Sequence, residues 1–118
     1  MKYDKEEHRK KAIEIELFSD ALPDTTSGIE WAITAQFYAA LHYVAAYFAL
    51  SNQFHASHGT RLRAIDKDTT LSSIYNDYQS LYNISRDARY ECMNLQPGHL
   101  AFAKERLSAV KRVICPLL

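Results

Sequence analysis

Apolar and polar positions divide this chain into four long helical stretches and one short one. The segment Ser27–Leu50, SGIEWAITAQFYAALHYVAAYFAL, is apolar on nearly every side, which is the pattern of a helix covered all round by others. Ser27 with Glu30 three positions on predicts a capping box at its start. At about 100° per residue, Trp31, Thr34, Tyr38, His42, Ala45 and Ala49 share one face. Ile33, Ala40, Tyr43, Tyr47 and Leu50 fall opposite, so both faces call for cover. A bilayer span needs about 20 apolar residues, but Glu30, Gln36 and His42 interrupt the run, and alanine and tyrosine make up much of the rest. The reading is a central bundle helix, with no membrane span.

The other elements follow from similar spacing. Residues from about Asp4 to Asp20 alternate charges, with Tyr3, Ile13 and Leu17 along one side, and predict a surface helix with a narrow apolar stripe. The segment ALPDTTSG is a connector. After Leu50, Ser-Asn marks a helix end, and Ser57 to Asp66 allows a short helix. Leu71, Ile74, Tyr75, Tyr78, Leu81, Tyr82, Ser85, Arg89 and Cys92 recur at steps of three and four, predicting a long helix over about Thr70 to Tyr90. Asn94 to Gly98 breaks it, and Pro97 opens a last helix to about Val113. Leu100, Ala103, Leu107, Val110 and Ile114 form its core stripe, and Phe102, Ala109 and Val113 form a second apolar strip. The expected fold is all-α, a four- to five-helix antiparallel up-down bundle, forming one domain over residues 1–118.

Composition narrows the partners only a little. Fourteen basic and fourteen acidic residues cancel, so no global field draws the chain to nucleic acid or membrane, and any attraction must be local. The two cysteines, Cys92 and Cys115, form no CxxC pair, and MKYDKEEHRKK has no apolar signal core. A reducing, cytoplasmic setting is the default expectation. The ending Cys115-Pro-Leu-Leu matches a prenylation box in form but has no polybasic tract before it.

The polar residues in the apolar stripes carry the candidate chemistry. Arg89 falls mid-stripe, where a buried guanidinium requires a carboxylate, an anion or several acceptors. Arg86 lies at the stripe's edge, so two guanidiniums can converge on one cleft with a phosphate as natural partner. Tyr38 and His42, together with Thr34, stack at intervals of four on the central helix and can face them, with Tyr82 beside them. His42 can act as acid or base near neutral pH, although a histidine among Ala, Leu and Tyr also reads as a core residue with one hydrogen bond. His55, His58 and Arg61 lie in or just after the following loop, without the carboxylate or cysteine that would complete a metal signature. Cys92 on the stripe reads as a packed thiol. No cofactor or metal is implied.

Three segments, WAITAQFYAALHYVAAYFA, HASHGTRLRAI and LSSIYNDYQSLYNISRDARY, together resemble small bacterial and archaeal members of the HEPN superfamily. The resemblance covers Ser27 to Tyr90 well and the last helix loosely. It implies a helical bundle, commonly a homodimer, that binds or cleaves RNA and often accompanies a nucleotidyltransferase in toxin–antitoxin or defence systems. Catalytic members pair an arginine with a histidine a short distance downstream on the late helix and cleave without metal. Here Arg86 and Asp87 match the start of that motif, but Glu91, Cys92 and Met93 occupy the histidine window. The leading expectation is a noncatalytic HEPN-like domain that binds RNA, a nucleotide or a nucleotidyltransferase partner. Its cleft would use Arg86, Arg89, Tyr38, His42 and Tyr82, with His58 and Arg61 nearby. The alternatives are a metal-independent ribonuclease, in which Arg86 works with a displaced histidine such as His42, and a purely structural dimerisation module.

Overall fold

The computed structural model describes residues 2–118. Five α-helices account for most of them: α1 (Lys5–Asp20), α2 (Thr26–Ala49), α3 (His58–Lys67), α4 (Tyr75–Tyr90) and α5 (Pro97–Ile114). A 3-10 turn over Leu71–Ile74 leads into α4, another over Cys115–Leu117 follows α5, and the described residues contain no strand. Among the described residues no helix is long and apolar enough to cross a membrane.

The fold is organised around α2, which packs against α1, α4 and α5. Its buried side chains include Ile33, Phe37, Val44 and Phe48, and its buried alanines Ala32, Ala35, Ala39, Ala40 and Ala46 leave room for close helix approach. Around it the core is completed by Ile65 of α3, by Tyr78 and Leu81 of α4, and by Ala103, Leu107, Val110 and Ile114 of α5. The α5 stripe lies inward as its spacing predicts, with Leu100 at its margin.

Named pairs set the helix directions. Ser19 Oγ donates to the Ala32 carbonyl at 3.1 Å and accepts from Gln36 Nε2 at 2.9 Å. Farther back along α1, Glu16 meets the Tyr43 hydroxyl, and His8 meets His42. The chains of α1 and α2 therefore run in opposite senses. The pairs Glu16–Lys111 and Asp20–Lys104 oppose α1 to α5 in the same way, and Tyr38–Arg89 with Tyr47–Asp68 oppose α2 to the segment carrying α4.

Four local expectations need correction. Thr25, not Ser27, caps α2, and its side chain accepts from Gly28 N at 3.1 Å. Gly28 sits so close to the preceding turn that a Cβ there would lie 1.9 Å from the Pro23 carbonyl oxygen. The helix thus starts before Ser27, which becomes an exposed first-turn residue. On α1 the predicted stripe of Tyr3, Ile13 and Leu17 is exposed. The inward face is His8, Ala12, Ile15 and Ser19, and its alanine, serine and histidine hide the stripe from a hydrophobicity pattern.

The long helix predicted from Thr70 begins instead as a 3-10 turn. Asp68 Oδ1 accepts from both Thr70 N and Leu71 N at 2.9 Å, which tightens the chain there. Finally, α4 ends at Tyr90, so Cys92 is exposed beyond it rather than packed. Of the expected second strip on α5, Phe102 is open to solvent and Val113 packs against the core.

Candidate functional site

Helix α4 brings Arg86 and Arg89 to one side of the molecule, where both guanidiniums meet aromatic rings. Arg86 Nη1 donates to the Tyr82 hydroxyl at 3.1 Å, a bond between residues one turn apart. Its guanidinium also lies 5.4 Å from the centre of the Tyr90 ring. Arg89 Nη1 reaches across to α2 and donates to the Tyr38 hydroxyl at 2.7 Å. Tyr38 and Tyr90 flank its guanidinium at 5.5 and 5.3 Å from their ring centres. Among the described residues no carboxylate stands within ion-pair distance of either arginine. Of the partners expected for Arg89, a carboxylate, an anion or several acceptors, the described residues supply no carboxylate: it holds one phenol and a set of π faces, and its Nε is buried without a partner. Quadrupole attraction to the rings replaces part of the lost hydration without cancelling the charge. The hydrogen bond from Arg86 to Tyr82, with Tyr90 and Glu91 nearby, favours its cationic form further.

His58, at the start of α3, stacks on Tyr82 with ring centres 3.4 Å apart and planes 11° from parallel. Phe37 packs against the edges of this stack. Both His58 nitrogens are buried without a hydrogen-bond partner. Burial, then the charges of Arg61 and Arg86, lower the His58 pKa and hold the ring neutral. His58 therefore braces the Tyr82 ring and presents no proton donor or acceptor to solvent.

His42 has a separate setting. It is half-buried against α1, and one of the two Nδ1 atoms of His42 and His8 donates to the other at 3.1 Å. Burial, then the charges of His8, Lys11 and Arg61, pull His42 down to about 4. The ring is thus a neutral, hydrogen-bonded histidine at pH 7. Arg61 lies between the two histidine settings. It donates from Nη2 to the His55 carbonyl at 2.9 Å, and its charge depresses His8, His42, His55 and His58 together. The Tyr78 hydroxyl is also within its field but outside hydrogen-bond geometry.

The seven residues singled out in the sequence thus fall into two linked groups. Arg86, Arg89, Tyr38, Tyr82 and His58 form one strip, His42 belongs to a pocket against α1, and Arg61 joins the two. Trp31, 60% exposed, lies beside Arg89 in a cavity of about 380 Å³ that Glu30 and Thr34 also line. Sequence reasoning missed His8, Lys11 and Tyr90. The four-three-four spacing from His8 through Ala12 and Ile15 to Ser19 was the available signal for His8. No group of three or more metal-ligating side chains is gathered among the described residues.

The molecule is in class an all-helical domain carrying an arginine–tyrosine strip with uncompensated positive charge. No family model, curated protein or solved structure matches the chain.

Proposed function

We propose that this chain is a HEPN-like helical domain that binds single-stranded RNA through the Arg86–Arg89 strip and does not cut it. The observation that carries the reading is the pair of arginines seated on tyrosine rings with no carboxylate in contact. Phosphodiesters supply the missing negative charge, and exposed aromatics such as Tyr90 and Trp31 offer faces on which unpaired bases stack. Cleavage at a 2′-hydroxyl requires an accessible proton acceptor and donor. His58 is buried in a stack, His42 is bonded to His8, and His99 Nδ1 accepts from Gln96 N at the start of α5. These commitments support binding over catalysis.

The same proposal includes a homodimer, supported by the apolar side chains Leu17 and Phe102 left exposed on the single chain. A nucleotidyltransferase partner belongs to it only through the resemblance. The test is fluorescence anisotropy with labelled single-stranded RNA, run beside a cleavage assay in chelator. Wild type should bind without cleaving and Arg86→Ala should bind more weakly. Cleavage that Arg86→Ala abolishes would favour the ribonuclease reading, and unchanged binding in Arg86→Ala would remove the strip from the function.

A further inference from the structure

Outside the arginine strip, the approach to α1, α2, the loop before α3 and α3 itself border a second recess. Tyr3, Glu7, His8, Lys11 and His42 line a cavity of about 340 Å³. A smaller one of about 110 Å³ shares His8 and adds His55, Arg61 and Phe54. We propose that this recess is a phosphomonoester site in which His8 and His42 bind the phosphate as a doubly protonated pair, flanked by Lys11 and Arg61. It is independent of the RNA-binding strip.

The argument starts from the 3.1 Å contact between the two Nδ1 atoms. At that distance one nitrogen must donate and the other accept, so the pair as it stands holds no proton between the rings beyond one. A proton added at a free Nε2 leaves that bond intact; when both rings are cationic both Nδ1 atoms are donors, the direct contact is lost, and each N–H requires an acceptor. The acceptor that offsets two cationic rings beside Lys11 and Arg61 is an anion. Lys11 borders the cavity, and Arg61 acts on both rings from α3. Neither cation has a carboxylate within ion-pair distance among the described residues.

The acidic groups facing the pair are Glu7 and Asp4. Both are engaged in the cap of α1, Asp4 accepting from Glu7 N at 2.8 Å and Glu7 from Asp4 N at 3.1 Å. They act on His8 by raising its pKa, against the larger effect of burial. His55, in the adjoining cavity, is also held neutral by burial and Arg61. A tetrahedral oxyanion offers several acceptors at once, and a monoester carries a second negative charge above about pH 6. The larger cavity exceeds a phosphate group, which leaves space for an organic body against the Tyr3 ring, itself packed edge-on to His8 at 5.8 Å between centres.

Protonation and occupancy are then one equilibrium. The empty site holds both rings neutral at pH 7, and a bound dianion raises their pKa values, so binding takes up protons and strengthens as pH falls. The experiment titrates the full chain with inorganic phosphate, methyl phosphate and dimethyl phosphate at about pH 6 and about pH 8, the range in which histidine charge responds. Histidine ring resonances are followed by NMR, and proton uptake by calorimetry in two buffers.

Phosphate and methyl phosphate should move the His8 and His42 resonances and raise their midpoints. Each unit of that rise corresponds to about tenfold tighter binding at the lower pH. Dimethyl phosphate should bind far more weakly. Lys11→Ala, at an exposed position, should weaken phosphate binding with no change in the melting temperature, and Glu7→Gln should strengthen it. Arg86→Ala should leave it unchanged, so this inference can fail without the RNA reading failing, and the reverse. Resonances of His8 and His42 that do not respond to phosphate, an affinity equal at both pH values, or equal binding by Lys11→Ala would each overturn the proposal.

Discussion

Acid should destabilise this protein partly through His42. Its ordinary pKa of 6.5 falls to about 4 in the folded chain, chiefly by burial and then by the charges of His8, Lys11 and Arg61. A depressed histidine binds its proton more weakly folded than unfolded. Stability is therefore fully present above about pH 6.5, declines as pH falls, and is fully lost once pH passes below about 4. At about 1.4 kcal/mol per pH unit the gap corresponds to at most about 3.4 kcal/mol. His42 is only half-buried, so solvent screening reduces this to about 2 kcal/mol. Carboxylates also titrate in this window, and a variant isolates the histidine. Thermal melts of wild type and His42→Gln, from about pH 7 to about pH 4 in a buffer without phosphate, should differ in their acid loss by about 2 kcal/mol. That difference equals a melting shift of about 8 °C for a chain of this size. Gln can still pair with His8, so the neutral-pH contact survives. Equal acid loss in the two proteins would refute the link between this contact and stability.

Other outcomes follow from particular contacts. Ser19→Ala leaves the Gln36 amide buried without its acceptor. It should cost about 2 kcal/mol in denaturant melts, and a second change, Gln36→Leu, should return part of it. Gly28→Ala sets a methyl against the Pro23 carbonyl and should destabilise by about 2 kcal/mol despite alanine's better helix propensity; a melt at or above wild type would contradict the tight α2 start. For the RNA reading, the two arginine contacts of the strip predict a salt slope of about −1.4. Arg86→Ala should then flatten the slope of log affinity against log salt by about 0.7, which anisotropy between low and moderate salt measures.

The helices were legible because spacing fixes them: the α5 stripe through Ala103, Leu107, Val110 and Ile114 lies inward as its sequence predicts. The face of α1 was not, since its contacts with α2 are made by small and polar groups such as Ala12, Ser19 and His8. Hydrophobicity registers Ile13 and Leu17 more strongly, yet these are open to solvent. Cap position failed for a related reason. Ser27 and Glu30 have suitable side chains, but the close approach of Gly28 to Pro23 is a matter of three-dimensional fit. On the site, residue types pointed to Arg86, Arg89, Tyr38 and Tyr82 together, and Arg89–Tyr38 and Arg86–Tyr82 are in contact. The division between His42 and His58 arises from α1 and α3, whose placement no local pattern encodes.

The alanines of α2 also determine where sequence change can accumulate. Ala39, Ala40 and Ala46 have no exposed surface, so each acts as a spacer setting how near a neighbouring helix axis can come. Enlarging one pushes a whole helix outward, and shrinking it to glycine weakens α2 itself. Bulky core positions have more latitude, because leucine, isoleucine and methionine can trade volume there. A saturation scan should therefore find its least tolerant residues among the smallest side chains of the central helix, with the large residues around them more permissive.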